Sequence, residues 1–108
     1  MKLIKDHIEK LSLICLDHKV DKLYAFGSIV GPEFDVKNSD LDFLVSMMEI
    51  PPLEKGELLL SLWDELENLF NRRVDLLSIN SISNPYLQKS IDASKVLIYD
   101  RSSQKVFS

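Results

Sequence analysis

Apolar positions recur at spacings of three and four over residues 3–18. Ile4, Ile8, Leu11, Ile14 and Cys15 form one stripe, and Lys5, Glu9, Ser12 and Lys19 lie largely off it. That period predicts an amphipathic helix. Residues 22–26, Lys-Leu-Tyr-Ala-Phe, read as a short strand ended by Gly27. Residues 27–39 hold glycine, proline and small polar residues, and predict a loop with room for one helical turn. Leu41 to Met47 is the clearest strand, and Pro51-Pro52 ends the linker after it. Residues 53–70 carry a wide apolar stripe of Leu58, Leu59, Leu62, Trp63, Leu66, Leu69 and Phe70, which predicts a long helix with Trp63 in the core. Val74 to Ser78 reads as a buried strand, Asn84-Pro85 opens a short helix over 85–92, and Val96 to Tyr99 makes a last strand. Helices alternating with short apolar strands predict an α/β (α+β) domain, a small mixed sheet of about four strands with helices packed against it.

Composition narrows this picture. A chain of 108 residues fits one domain, expected over residues 1–100, with 101–108 as a flexible tail. The net charge of −4 includes no basic stretch, which argues against a nucleic-acid groove. The single cysteine, Cys15, cannot form an internal disulfide and is expected as a packed thiol. Charges interrupt the first seven residues and no apolar run could span a bilayer, so neither a signal peptide nor a membrane partner is expected; cytoplasm is the default location. His7 and His18 bracket the first helix without metal-ligand spacing and are expected on the surface.

The chemistry lies in the carboxylates. Asp40 and Asp42 stand two apart at the start of a strand, so both point to one face while Leu41, Phe43 and Val45 point to the other. Adjacent carboxylates repel and raise each other's pKa, and a divalent cation removes that conflict. The plain alternative is a solvated turn, with Asp40 as a cap and Asp42 facing water. Gly27-Ser28, directly after a strand, adds a backbone that can approach a phosphate closely and a hydroxyl beside it. Asp75 interrupts the apolar run Val74-Asp75-Leu76-Leu77, where a buried charge would need a partner: either Arg72 or Arg73, or the same metal site. An EF-hand loop from Asp35 is excluded. Its sixth position is Asp40 where glycine is required, and its twelfth is Ser46 where a bidentate Glu is required.

Gly27, Ser28, Gly31, Ser39, Asp40, Asp42 and Asp75 together resemble the pattern of minimal nucleotidyltransferase domains of the DNA polymerase beta-like superfamily, most of all the antitoxin-like members paired with HEPN-domain toxins. The likeness spans roughly residues 20–100 and includes Asn84-Pro85-Tyr86-Leu87 through Val96-Leu97-Ile98-Tyr99. It implies a nucleotidyltransferase-like fold that binds a nucleoside triphosphate through Mg²⁺, with two ions during catalysis. Asp40, Asp42 and Asp75 would be metal ligands and catalytic residues; Gly27, Ser28, Gly31, Ser39 and Lys37 would meet the nucleotide. The implied reaction moves AMP from ATP to a tyrosine of a helical HEPN-type partner and releases pyrophosphate. Two alternatives stay open: an antitoxin or interaction module that neutralises its partner by binding, and a transferase subunit with a small-molecule acceptor. The chain departs from the family pattern in two places. Gly31 follows Gly27 more closely than is usual, and Ile29-Val30-Gly31-Pro32-Glu33 carries no Arg or Lys, which leaves Lys37 as the nearest positive charge. A partner surface or a homo-oligomer is expected to close the crevice, with Ile79, Ile82, Tyr86 and Leu87 as contact candidates; the core is the first expectation for Ile79 and Leu87, and Tyr86 is either exposed or a wall against the base.

Overall fold

A computed structural model describes residues 1–32, 34–35 and 38–102, and the backbone of 105–106. Five strands form one sheet in the order β3-β2-β1-β4-β5. They are β1 (Val20–Phe26), β2 (Leu41–Met47), β3 (Val74–Ser78), β4 (Val96–Asp100) and β5 (Lys105–Val106). β1 runs antiparallel to both β2 and β4, whereas β2 and β3 are parallel. The helices are α1 (Lys2–Asp6), α2 (Ile8–Asp17), α3 (Pro52–Phe70) and α4 (Pro85–Ser94).

Alternation along β2 builds the core. Leu41, Phe43 and Val45 are fully buried and join Leu23 and Ala25 of β1, Leu11 and Cys15 of α2, and Leu62, Leu66 and Phe70 of α3. Burial pushes the Cys15 thiol up to about 12, against the pull of Arg101, so it is inert as a nucleophile. The long helix ends at Asn71, whose φ of 50° is left-handed. The short one starts as its sequence predicts: Asn84 Oδ1 accepts from Tyr86 N at 2.9 Å and Leu87 N at 3.3 Å.

Four expectations need correction. The first helix is two, broken at His7, whose Nδ1 lies 2.9 Å from Leu3 O. The expected tail includes β5, which pairs with β4 after a turn in which Asp100 Oδ1 accepts from Ser102 N and Oγ. Trp63 is 38% exposed. Leu62, Leu66 and Phe70 fill the core, which leaves Trp63 on the flank of α3 with Nε1 donating to Val74 O at 2.7 Å. His18 is buried. Its Nδ1 meets Ile14 O at 2.7 Å, and its Nε2 meets Ser61 Oγ at 3.0 Å and Glu65 Oε2 at 2.6 Å.

Thus His18 ties the end of α2 to the middle of α3. Nδ1 can only donate to the Ile14 carbonyl, which fixes the ring's orientation between the two helices. His18→Ala is expected to lower the unfolding free energy by about 2 kcal/mol, because it leaves Ile14 O and Glu65 without this partner. Chemical denaturation measures this, and a cost near zero would mean that the bridge does not hold the two helices.

Candidate active site

The end of β1 and the start of β2 meet in register, with Phe26 opposite Asp42. The next residue, Gly27, has a φ of +75° and opens a 3-10 turn, Gly27–Val30. A Cβ placed on Gly27 would lie 2.5 Å from Asp42 Oδ2. Backbone conformation and space therefore both require glycine here. The turn closes on itself, with Gly31 N donating to Ser28 O at 3.1 Å. Its Ile29 is buried and anchors it, while Ser28 is half-buried.

On the other side, parallel pairing sets Asp42 directly beside Asp75. The two carboxyls share a hydrogen bond, and Asp40 adds its charge. Asp42 is consequently raised from 3.8 to about 6, first by burial, then by the charge and hydrogen bond of Asp75, then by the charge of Asp40. Asp75 itself is exposed. Its strand is the edge of the sheet, so the buried position expected for it is corrected: a solvated edge carboxylate needs no partner to be tolerated. Among the described residues, no three His, Cys, Asp or Glu side chains are already drawn together as a closed metal cage. The site is a coupled pair, Asp42 and Asp75, with Asp40 acting on it electrostatically.

The other expected residues take distinct places. Ser39 Oγ accepts from Asp35 N at 2.9 Å, and Ser39 N donates to Asp35 O at 2.9 Å, so Ser39 closes the loop before β2. Arg72 Nη1 donates to Ser39 O at 3.0 Å, and Leu41 N donates to Arg73 O at 3.1 Å. Arg72 is a site-building residue that sequence reasoning offered only as a partner for Asp75; its guanidinium lies 5.3 Å from the Phe34 ring centroid. Lys37 lies outside the described residues. Of the expected contact residues, Tyr86 and Leu87 are 84% and 43% exposed, and Ile79 and Ile82 are half-buried.

The profile of the family "Polymerase beta, Nucleotidyltransferase" matches residues 9–104. The chain belongs to this nucleotidyltransferase family. It is similar to "Putative protein adenylyltransferase MJ0128" of Methanocaldococcus jannaschii, 34% identical over 96 residues, which covers 88% of this chain and 94% of that one. A solved "putative minimal nucleotidyltransferase" is 27% identical with a TM-score of 0.64, over 88% of this chain and 92% of that one. The fold is also that of a chain in the structure of a tri-AMPylated Shewanella oneidensis HEPN toxin in complex with MNT antitoxin. That match has a TM-score of 0.58 and 20% identity, over 92% of this chain and 74% of that one.

The raised Asp42 pKa gives this nucleotidyltransferase a defined pH dependence. The folded metal-free protein binds the Asp42 proton more tightly than the unfolded chain does. The resulting stability is full below about pH 4 and is lost as pH rises through about 6. Asp42→Asn cannot ionise. It is expected to gain on the native protein across that window, reaching about 1–2 kcal/mol above pH 7 once partial solvation of the carboxylate is discounted. Denaturation across pH 4–8 without divalent cations measures the difference, and a flat difference would contradict the crowding.

Proposed function

We propose that this domain transfers AMP from ATP to a hydroxyl of a partner protein, with Mg²⁺ held by Asp40, Asp42 and Asp75. One observation carries the reading: a glycine backbone turns against the Asp42 carboxylate while Asp75 flanks that carboxylate on the neighbouring strand. The donor set suits a hard cation. It offers carboxylate oxygens in a negatively charged cluster, and Asp42 holds its proton to about 6 when nothing else offsets the charge. When bound, the metal supplies charge neutralisation for the triphosphate and for the oxygens of an in-line displacement.

The chain's own residues do the rest. Backbone N–H groups of the Gly27–Val30 turn and the Ser28 hydroxyl bind phosphate oxygens, and a side chain at position 27 would block that approach. Gly31 leaves the turn in extended backbone, Ser39 closes the loop before Asp40, and Lys37 is the nearest cation in the sequence to offer the triphosphate. The acceptor oxygen attacks the α-phosphorus, the bond to the β-phosphate oxygen breaks, and pyrophosphate leaves. The acceptor proton passes to Asp75, the exposed member of the pair. Positioning and electrostatics are what such a transfer needs from a protein.

A protein acceptor is supported by the relatives. MJ0128 is named a protein adenylyltransferase, and the complex that shares this fold contains an AMPylated HEPN toxin. In this reading the acceptor is a tyrosine of a helical HEPN-type partner, and the compartment is the cytoplasm, where ATP is available. Among the described residues no helix is long and apolar enough to cross a membrane.

Incubating the protein with ATP, Mg²⁺ and the HEPN-type partner should add AMP to the partner, as read by intact mass. Asp42→Ala should cut transfer by about a hundredfold or more while leaving partner binding intact, and chelation should do the same. Full neutralisation of the partner by Asp42→Ala would instead favour binding without catalysis.

A further inference from the structure

A groove runs along the outer side of α3 and around the open edge of β3, apolar over most of its length and charged where it nears Asp75. Two adjoining hollows of about 570 and 340 Å³ make it up, and they share Leu60 and Trp63. It is lined by Leu53 and Leu60, which are 76% and 70% exposed, together with Trp63 and Leu76. Side chains this apolar and this accessible in one strip mark a contact surface. One end of the groove lies at Ser81, and the other reaches Asp75 itself.

The rim is acidic. Glu57, Asp64 and Glu67 border the apolar strip, and Arg73 is the one basic lining residue. Among the described residues no Lys or Arg forms a salt bridge with any of these three acids. A second copy docked face to face would bring acid against acid, which disfavours self-association here. Strand addition is also disfavoured. Trp63 Nε1 donates to Val74 O, Val74 N donates to Glu67 Oε2 at 2.9 Å, and Ser81 Oγ donates to Ser78 O at 2.8 Å. The edge of β3 is thus capped at both ends. The groove takes side chains, not a new strand.

We propose that this groove docks an amphipathic helix of the acceptor protein, one whose apolar stripe is flanked by Lys and Arg. The apolar stripe fills the strip over Leu60 and Trp63, and the basic flanks meet Glu57, Asp64 and Glu67. Because the groove ends at Asp75, a helix seated in it brings a nearby hydroxyl to the carboxylate pair. The presentation of the hydroxyl rests on the transferase reading; the docking does not.

Trp63 is the only tryptophan, so its fluorescence reports the groove without reference to catalysis. The probes are synthetic helices of about five turns: one with a leucine stripe flanked by lysines, one with the lysines replaced by glutamates. The lysine helix should shift Trp63 emission saturably, and the glutamate helix should not. Leu60→Asp, and separately Glu57→Lys with Asp64→Lys, should weaken binding about tenfold or more; both change exposed side chains, and an unchanged melting temperature verifies their folding. Asp42→Asn should bind the lysine helix like the native protein. In the transfer assay with the HEPN-type partner, the same groove variants should raise KM with little change in kcat. Equal binding of both helices, no binding of the lysine helix, or undiminished binding by the groove variants would overturn the docking proposal. Absence of transfer by the native protein, with helix binding intact, would overturn only the transferase reading.

Discussion

Two carboxyls held side by side across a pair of parallel strands set the terms for the rest of this structure. Asp42 and Asp75 are register neighbours on β2 and β3, and neither can move away without breaking the ladder that places it. Their mutual repulsion adds to the burial that keeps Asp42 protonated to about 6. Every nearby feature bears on that conflict. Gly27 lets the backbone of the 3-10 turn come against Asp42, which a side chain would prevent. Arg72 and Arg73 fix the approach to β2 through the Ser39 carbonyl and the Leu41 amide. Held this rigidly, the site would be prepared for the proposed cation and phosphate before either arrives.

Much of this was legible in the sequence because it is local. Alternation over Leu41 to Met47 placed Asp42 opposite a buried face, and Phe43 and Val45 are fully buried as that pattern requires. Gly27 after a strand pointed to an unusual backbone, and its φ is +75°. The long helix and the Asn84-Pro85 helix start followed from periodicity and capping. What stayed hidden depends on which elements become neighbours. Local pattern cannot say that β3 is an edge, so Asp75 seemed buried and is exposed. His18 looked like a polar helix end, yet Ser61 and Glu65 arrive from α3 to enclose it. Trp63 sits on an apolar stripe wider than the core can cover.

The edge position of β3 links site and surface. Placed in mid-sheet, Asp75 would be flanked by a strand on each side. At the edge, the carboxylate pair is reachable from beyond β3, and the same exposure leaves Leu60 and Trp63 uncovered along α3. Polar groups at the two ends of the β3 edge are satisfied locally, by Trp63, Glu67 and Ser81, which reduces the usual hazard of an open strand. In the proposed reading, chemistry and partner recognition therefore share one side of a small domain.

Binding of Mn²⁺, measured by water-proton relaxation in the presence of ATP, tests the carboxylate pair most directly. Saturable enhancement is expected with the native protein and its loss in both Asp42→Asn and Asp75→Asn, whose folding an unchanged circular-dichroism spectrum verifies. Enhancement that persists unchanged in both variants would contradict this expectation, because the metal would then be held somewhere other than the junction of β2 and β3.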